Sequence, residues 1–173
     1  MVNRHYSALF EADRGMALLN RAIWGISCLD SDLALTLLHA PTVPDDTCDR
    51  GPQHFEFAVS VYDRPFAAGQ VVPDGYAFNN APIILPGAAG DRTGCWAENA
   101  VIETVKPPME GGAGTVLRLW EHRGTMTRAT LHLPARGRVY DCGLQENRRE
   151  PVGEGDTIAL TLKPFQIMTL MIE

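Results

Sequence analysis

Sustained helical periodicity is nearly missing from this chain, and so is any apolar run close to the ~20 residues that span a bilayer. The opening residues, Met1-Val2-Asn3-Arg4-His5-Tyr6, are polar and lack the apolar core of a signal peptide. Cysteine is sparse: Cys28, Cys48, Cys95 and Cys142 are spread over 173 residues without a Cys-x-x-Cys pair. A chain of this length needs no disulfide scaffold, so the four read as reduced thiols in a cytoplasmic setting. Positive charge is also short, with 15 Lys and Arg against 21 Asp and Glu and a net charge of -6. That balance argues against a phosphate-backbone partner. The densest basic spot, Arg148-Arg149, lies beside Glu146 and Glu150 and reads as a solvated loop. Neither nucleic acid nor a membrane is therefore expected as a partner.

Self-contained chemistry is equally scarce. There is no Gly-x-Ser-x-Gly elbow, no P-loop, and no Gly-x-Gly-x-x-Gly after a strand. Gly111-Gly112-Ala113-Gly114 is glycine-rich, but strand-like segments flank it on both sides. Phosphate cradles feed a helix, so a hairpin turn is the reading here. None of the histidines, His5, His39, His54, His122 and His132, has a partner at the spacing of His-x-His, His-x-Asp or His-Glu-x-x-His. No metal site and no cofactor are expected in the chain itself. His54 and Glu56 share a strand face. That suits a metal ligand pair, a grip on a sugar hydroxyl, or a half-exposed pair at a strand start. Asp45, Asp46 and Asp49 read as turn formers rather than paired catalytic carboxylates. Trp120, between Arg118 and Glu121, suits either a sugar-stacking platform or a core indole with charged neighbours at its rim.

What the chain has instead is alternation. Glu11 to Leu29, broken by Gly15 and Gly25, suggests strand-turn-strand, and Leu33 to Leu38 is strand-like until Pro41 and Pro44 end it. Ala40 to Gln53 is a polar loop. Phe55, Phe57, Val59 and Val61 point one way and make the clearest half-buried strand of the first half. Pro65 to Gly75 has room for one short helix or only a loop, and Pro86 to Gly94 is the best linker. Beyond it come strands at Ala100 to Lys106, Thr115 to Glu121, Thr127 to Leu133, Val139-Tyr140, Thr157 to Leu162 and Phe165 to Ile172. That is a set of about six, spaced as in a sandwich. In the third of these, Ala129, Leu131 and Leu133 face inward; the last two meet at a sharp corner, Lys163-Pro164.

These segments carry a resemblance. Gly15-Met16-Ala17-Leu18-Leu19-Asn20 with Trp24-Gly25, Leu33-Ala34-Leu35-Thr36-Leu37-Leu38-His39-Ala40-Pro41, and Asp49-Arg50-Gly51 with His54-Phe55-Glu56-Phe57 resemble, in order, segments of the glycoside hydrolase family 38 α-mannosidases. Val101 to Pro107, Leu117-Arg118-Leu119-Trp120-Glu121 and Lys163-Pro164-Phe165-Gln166-Ile167 are similar to its later elements. Gln166 stands where the family usually has an acid, Trp24 and Trp120 where it has Tyr, and His39 where it has Arg. The resemblance covers the family's C-terminal β region only. It implies an all-β fold: the end of a large β-supersandwich over residues 1–86, then a small antiparallel β-sandwich over residues 95–173.

It also implies that the chain has no catalytic residue of its own. Family 38 enzymes are retaining α-mannosidases with an Asp nucleophile and a divalent metal, usually zinc, in an N-terminal domain followed by a helical bundle. Nothing in the chain matches those parts, so the parent polypeptide is expected to extend far upstream of Met1. The expected partners are those catalytic and helical domains and an α-mannoside substrate. The truncated first half is expected to self-associate. If any side chain reaches the sugar cleft, His54, Glu56 and Arg118 are the candidates, with a structural ion pair as the plainer role of Arg118. Two rivals stand beside this reading: a stand-alone carbohydrate-binding or assembly module, and a small active hydrolase.

Overall fold

The period-two runs become strands, and they do so in two separate groups. The computed structural model describes residues 4–84, 86–87 and 94–173, apart from the side chains of residues 148 and 149. The chain divides into two compact units, Met1–Leu85 and Pro86–Glu173. Most of the expected linker, residues 88–93, lies outside the described residues.

The first unit holds β1 (Tyr6–Phe10), β2 (Gly15–Arg21), β3 (Gly25–Leu29), β4 (Asp32–Thr36), β5 (Glu56–Tyr62) and the helix α1 (Val71–Asn79). Strands β1, β2 and β5 form an antiparallel sheet in that order, and β3 and β4 form a hairpin of their own. Alternation along β2 sends Ala17 and Leu19 into a small core with Tyr62 and Val71. Helix α1 packs on β2 and β1. Pro73 is tolerated in its first turn, where backbone N–H groups have no intrahelical acceptor. The Tyr62 hydroxyl donates to Asp74 at 2.8 Å, and the Asn79 amide donates to the Asn20 carbonyl at 3.0 Å. Both bonds tie the helix to the sheet.

One expectation is reversed here. Phe57, Val59 and Val61 do share a face of β5, but that face is open: they are 51%, 57% and 81% exposed. The covered side of β5 carries Ala58 and Tyr62 instead. The helix took the less apolar face, and the described residues of this unit leave the other uncovered.

The second unit holds β6 (Trp96–Glu98), β7 (Val101–Lys106), β8 (Thr115–Trp120), β9 (Thr127–Cys142), β10 (Arg148–Leu162) and β11 (Ile167–Ile172). They make one antiparallel sheet in the order β10-β9-β11-β8-β7, with β6 added to β9. Residues 127–132 of β9 pair with the far end of β10, while residues 139–142 pair with β11. The long strand thus serves two parts of the sheet, which closes over one core. Leu117, Leu119, Leu131, Leu162 and Leu170 there are fully buried, and Ala129 and Leu133 point inward as the alternation requires.

Two boundaries differ from expectation. Val139-Tyr140 is not a short separate strand but the end of β9, and β10 starts at Arg148, so Arg148-Arg149 open a strand rather than sit in a loop. Gly153 and Gly155 look like breakers in the sequence. They are absorbed as irregularities in the β9–β10 register, at Pro151/Gly153 and Gly155/Thr157. The Gly111–Gly114 stretch is the turn between antiparallel β7 and β8, as expected.

Candidate functional site

The corner before β11 shows how the second unit is locked. Pro164 and Phe165 are its central residues, and the Gln166 N–H donates to the Lys163 carbonyl at 3.0 Å. Proline followed by a positive φ, here 56° at Phe165, is the type II pattern, which normally takes glycine at that second place. Glu121 holds Phe165 there. Its carboxylate accepts from the N–H of Phe165 (3.0 Å), Arg123 (2.8 Å) and Gly124 (2.8 Å), and from the Thr127 hydroxyl (3.1 Å). Glu121 is fully buried. Burial pushes its pKa up, but the four hydrogen bonds outweigh that and hold it below the usual glutamate value. It is therefore a structural anion, not the charged partner of a sugar platform. The Phe165 ring lies over Gly124, where an added Cβ would sit 2.7 Å from it.

Arg118 lies on β8 opposite Thr169 of β11 and donates from Nε to the Thr169 hydroxyl at 3.2 Å. Its charge also helps lower the pKa of Glu146, after the larger effects of the Lys106 ammonium and the Met109 N–H. So Arg118 has a structural hydrogen bond and a neighbouring carboxylate. Glu146, which sequence reasoning passed over as loop, pairs with Lys106 and accepts from the Met109 N–H at 2.6 Å.

In the first unit, His54 and Glu56 do meet, with Nε2 and Oε1 3.4 Å apart. The His54 ring is largely exposed, and Glu56 is shared: its other oxygen pairs with Arg21 at 2.5 Å. Arg21 also donates to the Phe78 carbonyl at 2.6 Å and lies over the Phe78 ring. Glu56 thereby helps dock the end of α1, a role without a signal in local sequence. Another pairing hidden from the sequence is Trp96 stacked on His132 across β6 and β9, at 3.8 Å and 8°.

Among the described residues, no group of three His, Cys, Asp or Glu side chains is placed to hold a metal. None of Cys28, Cys48, Cys95 and Cys142 is in a disulfide. No helix among the described residues is long and apolar enough to cross a membrane.

Residues 99–170 match the glycosyl hydrolases family 38 C-terminal beta sandwich domain. These residues, most of the second unit, belong to the C-terminal β region of family 38. Alpha-mannosidase G of Dictyostelium discoideum is 29% identical over 98% of this chain, and alpha-mannosidase 2C1 of Mus musculus is 33% identical over 95% of it. The chain spans only 17% of the length of each. Among solved structures, an alpha-mannosidase from Enterococcus faecalis shares the fold with a TM-score of 0.74 at 14% identity, matching all of this chain and 21% of its own. The family resemblance now has a physical basis as well. Its Arg-Leu-Trp-Glu and Lys-Pro-Phe elements meet through the bond between Glu121 and Phe165.

Proposed function

We propose that this chain is the non-catalytic C-terminal part of an α-mannosidase, where it packs against the upstream catalytic and helical domains and helps wall the sugar cleft. Hydrolysis with retention, by an Asp nucleophile and a divalent metal such as zinc, belongs to those upstream domains. In this reading the two units are the end of the large supersandwich and the small terminal sandwich, in a cytoplasmic enzyme. The observation that carries it is the open row Phe57, Val59 and Val61 on β5. Three large apolar side chains side by side on a sheet face mark a surface made to be covered. The relatives, about six times longer, have the chain to cover it.

His54, Glu56 and Arg118 are the side chains of this region proposed to lie nearest the substrate; none acts on the glycosidic bond. The test is direct. The purified chain is expected to leave an aryl α-mannoside intact and to self-associate through the open face in size-exclusion chromatography. Turnover that a chelator abolishes would overturn the reading, and so would a strictly monomeric elution at high concentration.

A further inference from the structure

We propose that residues 143–147 form a hinged flap over the second face of the sheet, latched by Glu146, whose local opening bares that face. Register defines the face. Lys106 of β7 pairs with Val116 of β8, Arg118 of β8 with Thr169 of β11, and Thr169 with Cys142 of β9. Directly paired residues point to the same side, and Val116 and Arg118 alternate to one side of β8. Lys106, Val116, Arg118, Thr169 and Cys142 therefore share a face, opposite the core side chains Leu117, Leu119 and Leu170. Val116, Thr169 and Cys142 are buried there.

β9 ends at Cys142, and β11 and β8 lie between it and β7. Glu146 nevertheless pairs with Lys106 and feels the charge of Arg118. The chain that leaves β9 therefore lies over this face to deliver Glu146. It is closed on itself by the Glu146 N–H, which donates to the Gly143 carbonyl at 2.8 Å.

Three observations make this segment a flap. Its ends are joined, because Cys142 pairs with Arg148, so it can swing out while β9 and β10 stay paired. It is loosely packed: Leu144, Gln145 and Asn147 are exposed, and a cavity of about 530 Å³ lies between the segment and Gln166 to Thr169. It is also under tension. Glu146 has a φ of 63°, a left-handed backbone that is unfavourable for any residue with a Cβ. The Glu146 carboxylate offsets that tension. Its side chain is only 7% exposed, pairs with Lys106 and accepts from the Met109 N–H at 2.6 Å. A segment with few buried contacts and one polar latch opens locally, well below the free energy of global unfolding. Opening deprives Lys106 and Arg118 of this carboxylate and uncovers the Cys142 sulfur, which in the closed state donates to the Thr169 carbonyl at 3.4 Å. The flap stands on contacts within the second unit, so it is independent of the open face of β5 and of the parent's reaction.

The test is alkylation of the folded chain with iodoacetamide, with the rate at Cys142 read by peptide mass spectrometry relative to the exposed Cys28. In the unaltered chain Cys142 is expected to react more slowly than Cys28, at a rate that low urea leaves unchanged, because opening a flap exposes little surface. Glu146→Gln and Lys106→Met each break the latch and are expected to speed Cys142 by about tenfold. Cys95, packed against the core on the other face, is expected to change by less than about twofold. The proposal is overturned if Cys142 reacts only in step with global unfolding by urea, a result that needs no variant. It is also overturned by an unchanged Cys142 rate in a folded Glu146→Gln or Lys106→Met chain, or by equal speeding of Cys95.

Discussion

The two units of this chain are both antiparallel and of similar length, yet they bury their apolar residues very differently. The second turns its sheet over ten buried side chains from β8 to β11 and satisfies its buried carboxylate four times over. The first has four buried residues in its core and leaves Phe57, Val59 and Val61 open. Alternation is equally clear in both. The difference teaches that a good strand pattern announces a buried face without saying whether the covering layer lies in the same stretch of chain.

Mutations can break that comparison. Leu131 is fully buried, and Leu131→Ala is expected to cost about 2–5 kcal/mol by urea unfolding of the second unit. Glu121→Ala comes next: it strands three backbone N–H groups and the Thr127 hydroxyl, an expected loss of about 2–4 kcal/mol. The same residue carries a pH signature. Because its folded pKa is lowered, its contribution is complete above the unfolded value, about 4.5, and is lost as pH falls through the lower folded value. Glu121→Gln should therefore lose less stability between neutral and acid pH than the unaltered chain. Equal acid sensitivity of the two would show that the carboxylate is not the titrating group.

Gly124→Ala is a smaller perturbation. It places a Cβ against the Phe165 ring at a φ of 71°, and a cost of about 1–2 kcal/mol is expected in thermal or urea melts. Smallest in stability is Val59→Thr in the first unit, expected within about 0.5 kcal/mol because the side chain is open. Its effect should appear instead as weaker self-association in sedimentation. If Val59→Thr cost as much as Leu131→Ala, the face would already be covered and the contrast between the units would fall.

Much of the architecture is legible in the sequence. Ala129, Leu131 and Leu133 alternate inward as read, Lys163-Pro164 marks the corner, and the glycines after Pro107 mark a turn. The lengths of β9 and β10 are not legible, because Gly153 and Gly155 look the same whether a strand ends or bulges. Of the candidate residues, His54 and Glu56 could be paired from their spacing. The hold of Arg21 on Glu56 could not, since the two are brought together by cross-strand register.

The sequence by itself determined that this protein is all-β, where most strands lie, and which family its ordered motifs belong to. Those follow from side-chain alternation and turn chemistry, which act between near neighbours. Only the tertiary structure decided that Glu121 is a sealed hub, that the Arg-Leu-Trp-Glu and Lys-Pro-Phe elements touch, and that the most apolar face of β5 is the open one. These depend on contacts between residues far apart in the chain. A period of two tells which side chains share a face, but not what that face will meet.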